Sequence, residues 1–200
     1  VAGVQVSSIH EKDGDKTDRL MEAADSLMGE PIFVDDASST ADAVESSIRR
    51  LVRKHDCKVI WVDYLQLIRP PSNLPKNRNR SWEVDEISEV LRRIAKQENV
   101  AVIALLQLNR GRGVPQSHHF RDSDKPLHDA ALAFGLYRQF QYKKPKKSNN
   151  QDYENTELAD MFQPFELMSL KSRDHSKKDI RLWARLTLQR VYDSCDDGFN

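Results

Sequence analysis

Apolar and polar positions recur along this chain with two periods, and each change of period marks an element. Leu20, Met21, Ala24, Leu27 and Met28 fall at helical spacing within residues 15–28, and Gly29 and Pro31 end that pattern. Ile32, Phe33 and Val34 predict a short strand that stops at Asp35 and Asp36. Thr40 suits the N-cap of a helix running to about Lys54, with Val44, Ile48, Leu51 and Val52 on one face. Val59, Ile60, Trp61 and Val62 form an unbroken apolar run that ends at Asp63, the pattern of a strand buried in a parallel sheet. A breaker-rich loop from Arg69 to Arg80 follows, with Pro70, Pro71 and Pro75.

Residues 81–98 carry Ile87, Val90, Leu91 and Ile94 as an apolar stripe, which predicts a helix ended by Asn99. Val100 to Leu106 predict a second fully apolar strand that closes on Gln107. A buried strand, a helix and a second buried strand make a βαβ unit in a parallel sheet. A loop over 109–125 holds Arg110, Arg112 and Arg121, and Ala130 to Tyr137 predict a third apolar strand. The polar segment 139–160, with Lys143-Lys144-Pro145-Lys146-Lys147, reads as a mobile solvated loop, with a binding element as the alternative. Phe165 to Leu170 and Ile180 to Leu188 predict an antiparallel strand pair around a basic turn.

Composition narrows the class. Lys plus Arg and Asp plus Glu number 31 each among 200 residues, so the formal charge is zero. That excludes a generally basic nucleic-acid coat but permits local basic loops. No apolar run approaches the roughly 18 residues of a membrane span. No charged-then-apolar leader is visible, so neither a membrane nor a secretion route is expected. Cys57 and Cys195 are too far apart for a disulfide framework or a zinc site, which points to a reducing compartment, most simply a cytoplasm.

Candidate chemistry gathers where the two apolar strands end. Ligands of open α/β sheets collect outside the carboxyl ends of the strands. Asp63 and Gln107 should therefore face one crevice. A carboxylate there can hold the magnesium that travels with a triphosphate, or it can cap the loop that follows. A carboxamide offers a donor and an acceptor together. Gln107 thus suits a group that senses a phosphate oxygen or an ordered water, with an idle strand-ending amide as the alternative.

These residues carry a resemblance. Asp63-Tyr64-Leu65-Gln66-Leu67, Ser88 to Ala95 and Ala104-Leu105-Leu106-Gln107-Leu108-Asn109-Arg110 resemble the core of the DnaB family of replicative DNA helicases. So, in order, do Val34 to Ser39, His119-Phe120-Arg121-Asp122-Ser123, Asp129-Ala130-Ala131, Leu136-Tyr137-Arg138 and Lys171-Ser172-Arg173. The resemblance implies an α/β, RecA-like fold: a mostly parallel sheet flanked by helices, with the C-terminal antiparallel strand pair appended. Residues 1–200 would form one partial ATPase domain of a hexameric, ATP-driven motor that translocates on single-stranded DNA. It also implies roles. Asp63 would be the acid that holds Mg2+ on ATP, and Gln107 the glutamine coupling nucleotide state to the DNA loops. Lys171 and Arg173 would reach the γ-phosphate bound by a neighbouring subunit. Arg121 and Asp122 match the loop that contacts the single strand, with Arg110 beside them, while Arg78 and Arg80 read as residues of a solvated loop, with a loop facing the channel as the alternative.

The departures are as informative as the matches. Gly14-Asp15-Lys16-Thr17 fails the pattern G-x-x-x-x-G-K-[ST] and follows no apolar strand, so a nucleotide cradle is missing from these residues; the resemblance implies that the family's catalytic glutamate is upstream as well. The chain reads as the trailing part of an incomplete P-loop core, inactive by itself, that would work in a homo-hexamer or beside a complementary helicase fragment. The exposed sheet edge would invite pairing. Leu106, Asp122, Asp124, Leu127, Ala131 and Asp174-His175 depart from the family pattern and put the geometry of the DNA loops in question more than the fold. A non-catalytic remnant that joins or regulates a helicase ring is the alternative, and a RecA-type recombinase fragment is a weaker third.

Overall fold

Ten regular elements were obtained from a computed structural model that describes residues 14–71, 79–108, 114–120, 122–138, 163–174, 176–185 and 190–193. They are α1 (Gly14–Met28), α2 (Ala41–His55), β1 (Val59–Val62), α3 (Arg80–Glu98), β2 (Ala101–Ala104), α4 (Lys125–Asp129), β3 (Leu132–Tyr137), β4 (Gln163–Ser172), β5 (Ile180–Arg185) and β6 (Arg190–Tyr192). The polar segment 139–160 lies outside the described residues, as do Arg78, Arg110 and Arg121. The described residues within Pro31–Ala133 and Leu170–Lys177 form one compact unit, and those within Val1–Glu30, Phe134–Ser169 and Lys178–Asn200 form a second.

The first unit is built around α3. Val84, Ile87, Val90, Leu91 and Ile94 form its buried stripe, joined by Ile48 of α2, Ile60 of β1, and Leu65 and Ile68 beyond β1. Burying such a side chain contributes about 1.5–3 kcal/mol. Ile94 is fully buried, and Ile94→Ala should cost about 2–5 kcal/mol, read as a lower urea midpoint at unchanged m-value. Local signals set the helix limits. Thr40 Oγ1 accepts the Ala43 N–H, and Asn79 Oδ1 accepts the Trp82 N–H, so each helix start has a side-chain cap. Asp56 and Asn99 end α2 and α3 in the left-handed conformation, at φ 52° in both cases.

β1 and β2 pair in parallel, with Val59 opposite Ala101 and Val62 opposite Ala104. The expected βαβ unit is therefore present, with α3 as the crossover. The expectation that both strands are fully buried fails. Only Ile60 of β1 is buried, whereas Val59, Trp61 and Ile103 are 58%, 61% and 41% exposed. One face packs on the helices and the other stays open, because successive side chains point to opposite faces. The predicted strand over Ile32, Phe33 and Val34 is also absent. That stretch is irregular and exposed, and Phe33 stacks instead on His55 at 3.8 Å between ring centroids.

A second sheet runs in the order β3-β4-β5-β6, with β4–β5 and β5–β6 antiparallel. The predicted C-terminal strand pair is thus part of a larger sheet. In the second unit, Pro164 opposes Trp183, and Arg181 pairs with Glu166 at 3.1 Å. No helix among the described residues is long and apolar enough to cross a membrane.

Candidate functional site

Hydrogen bonding between β1 and β2 continues beyond the strands. The Leu105 N–H donates to Val62 O at 3.0 Å, and the Leu65 N–H donates to Leu105 O at 2.9 Å. Asp63 directly follows β1, Gln107 lies three residues beyond the end of β2 rather than directly after a strand over 100–106, and both are exposed. The Asp63–Tyr64 peptide is cis. Just past it, a 3-10 turn over Leu65–Leu67 buries Leu65 in the core and carries Gln66 toward the neighbouring strand exit. The Gln66 side chain bonds the Gln107 backbone at both N–H and C=O, at 3.2 and 3.1 Å.

Leu108, the next residue, forms an isolated antiparallel bridge with Phe120. Two residues on, Asp122 adopts φ 74°, a left-handed conformation at a bend of the chain. The segment after that bend is tied down on α3. Ser123 Oγ donates to Asp85 and accepts the Lys125 N–H, and Ser88 Oγ donates to Asp129 at 2.8 Å. Lys125 pairs with Glu89 at 3.2 Å, and Arg92 with Asp129 at 3.5 Å. The hydrogen bond from Arg92, followed by that from Lys125, holds the Glu89 carboxyl below its ordinary range.

Lys171 and Arg173 lie at and just beyond the end of β4 and differ in what holds them. Lys171 is half-buried, and its Nζ donates to Leu127 O at 2.8 Å and His128 O at 2.7 Å. It thereby neutralises carbonyls at the end of α4, a favourable place for a cation. Arg173 is anchored through its backbone, N–H to Ala131 O at 3.0 Å, while its side chain is exposed. Arg80, expected in a solvated loop, is instead the first residue of α3. It pairs with Glu83 at 2.7 Å and donates to Gln66 O at 2.5 Å.

Asp35 organises the approach to α2. Its carboxylate accepts the Ala37 and Ser38 N–H groups at 3.1 Å each, Ser38 Oγ at 2.8 Å, and Ser47 Oγ from α2. The Ser47 hydroxyl, then that of Ser38, lowers its pKa to about 2. Because the folded value is depressed, this stabilisation is complete above the unfolded value of about 3.9 and is lost as pH falls toward about 2. Ser47→Ala should raise the Asp35 pKa toward that unfolded value in an NMR titration and remove stability in this acid window.

Sequence reasoning assigned no role to Gln66, Asp85, Ser88 or Ser123. A usable signal existed on α3: Asp85, Ser88, Glu89 and Arg92 recur at helical spacing beside the apolar stripe. They form the polar seam that receives α4 and the segment before it. Asp63 is exposed, and a carboxylate is a hard oxygen ligand of the kind Mg2+ takes singly beside phosphate oxygens. Among the described residues no group of three or more His, Cys, Asp or Glu could hold a metal ion without such outside ligands.

The chain is 35% identical over 152 residues to the replicative DNA helicase DnaB of Rickettsia prowazekii, covering 73% of this chain and 31% of that protein. It is 40% identical over 114 residues to that of Buchnera aphidicola (subspecies Acyrthosiphon pisum), covering 54% of this chain and 24% of the relative. The chain thus spans less than a third of the length of either relative. Among solved structures, an ATPase domain superposes with a TM-score of 0.77 at 24% identity, over 96% of this chain and 66% of that one. A DnaB-like replicative helicase, solved in a study of its interactions with primase, gives 0.72 at 24% identity, over 91% and 44%. The fold is therefore that of these RecA-like ATPase domains. The model of the DnaB-like helicase C-terminal domain matches residues 1–192, and the chain belongs to that family.

Proposed function

We propose that this chain is part of an ATP-dependent replicative DNA helicase, a homo-hexamer or an assembly with a complementary fragment, that moves on single-stranded DNA. The position of Asp63 and Gln107 beyond the carboxyl ends of two paired strands, with Gln107 one residue before the Leu108–Phe120 bridge, supports this reading most directly. In it Asp63 holds Mg2+ on the triphosphate, and that ion supplies charge neutralisation when bound. Gln107 responds to the phosphate end and passes its position through Leu108 to the segment containing Arg121 and Asp122. Arg110 and Arg121 meet the DNA backbone, so binding should weaken as salt rises. The compartment in this reading is the cytoplasm.

Arg173 is the stronger candidate for reaching a neighbour's γ-phosphate. Lys171 would have to exchange two carbonyl acceptors for phosphate oxygens, whereas the exposed Arg173 side chain has only to reorient. A guanidinium also stays charged throughout, which suits it to phosphoryl groups.

Residues 1–200 contain no G-x-x-x-x-G-K-[ST], so the nucleotide cradle has to come from another segment. These residues alone should show no Mg-dependent ATP hydrolysis, and supplying that segment should produce turnover stimulated by single-stranded DNA. Turnover by residues 1–200 alone contradicts the division of the site. Binding to the ring without turnover in the completed protein favours the non-catalytic, regulatory reading.

A further inference from the structure

We propose that Gln66 is a positioning residue whose carboxamide fixes the Gln107 peptide and ties it, through Arg80, to α3. This rests on the reading of Gln107 as the residue that couples nucleotide state to the DNA loop.

The β1–β2 ladder explains what Gln66 does. After Leu65 the two chains separate, and the Gln66 side chain takes over the pairing that a strand backbone would supply. Its Nε2 donates to Gln107 O at 3.1 Å, and its Oε1 accepts the Gln107 N–H at 3.2 Å. Both backbone groups of one residue are held by one side chain. Gln107 thus sits between two anchors, Gln66 before it and the Leu108–Phe120 bridge after it. Gln66 is itself restrained, since its carbonyl accepts Arg80 Nη2 at 2.5 Å while Arg80 Nη1 pairs with Glu83. The same helix carries Asp85, Ser88 and Glu89, which hold Ser123, Asp129 and Lys125. One helix therefore holds Gln107 through Gln66 and holds the segment after Asp122 directly.

The chemistry admits few substitutes. Only a carboxamide presents a donor and an acceptor side by side at neutral pH. Asparagine is one methylene short, and leucine offers neither group. An ionised glutamate still accepts the N–H but turns a second acceptor toward Gln107 O.

The test uses the completed, ATP-hydrolysing protein and reads the ratio of turnover with single-stranded DNA to turnover without it. Gln66→Leu should lower this ratio about tenfold, the effect of losing two ordinary hydrogen bonds. Gln66→Glu keeps the size and the acceptor but lacks the donor at neutral pH, so it should lower the ratio as well. A merely structural contact would leave the ratio unmoved while lowering the melting temperature. A wild-type ratio in Gln66→Leu, or in Gln66→Glu at neutral pH, overturns the clamp alone. A wild-type protein with no stimulation by DNA overturns the reading of Gln107, and the clamp with it.

Discussion

Asp63→Ala is expected to lower Mg-dependent ATP turnover of the completed protein by about a thousandfold or more, because it removes the carboxylate that places the cation against the phosphates. Asp63→Asn is the sharper experiment. It keeps size, shape and one acceptor oxygen but loses the charge. If Asp63 only capped the loop after β1, asparagine, an equally good capping residue, would retain activity within a few-fold. If Asp63 holds the ion, both variants fail alike, and raising Mg2+ should recover part of the asparagine variant's rate. Steady-state turnover across a magnesium titration separates the two outcomes. Unfolding is a small concern, since the side chain is exposed and takes no part in the core around α3.

Arg173→Ala should be nearly as severe, by about a thousandfold or more, the scale on which an arginine supplied across an interface acts. Its decisive form is a mixture. An Asp63→Ala subunit keeps its arginine, and an Arg173→Ala subunit keeps its carboxylate. Where the two meet in the right order, one intact site reappears. In an equimolar ring about a quarter of the interfaces are restored if subunits place themselves at random. Turnover by the mixture, absent from either variant alone, supports action across the interface, and a dead mixture assigns Arg173 to its own subunit's chemistry or to none. Lys171→Ala should instead loosen the end of α4, because Nζ bonds Leu127 O and His128 O.

Much of the first unit was legible in the sequence, for a physical reason. The helix α3 announces itself by Ile87, Val90, Leu91 and Ile94 on one face, all of which are buried, and its stop signal, Asn99, sits where the C-terminal cap is found. The strand exit at Asp63 was legible because the apolar run ends there, whereas β2 stops at Ala104, three residues before the apolar run ends at Gln107. Burial was not legible. An unbroken apolar run predicts cover on both faces, yet Val59, Trp61 and Ile103 stand open, since what covers a face depends on partners a local pattern does not encode. Ile32 to Val34 failed as a strand for the same reason, since pairing is a property of two segments. The clamp on Gln107 was hidden differently. Gln66 lies within a recognisable motif, but only the turn at Leu65–Leu67 reveals that its side chain reaches the backbone of a residue 41 positions away.

The open face of β1 and β2 has a practical consequence. Trp61 holds its indole 61% exposed there, whereas Trp82 and Trp183 are partly shielded. Its fluorescence is a built-in gauge of whatever comes to roof that ribbon: emission shifts to the blue as water leaves the ring. Each large side chain sheltered in this way adds about 1.5–3 kcal/mol, so the melting point of residues 1–200 by themselves is a floor beneath that of any larger particle that shelters the face.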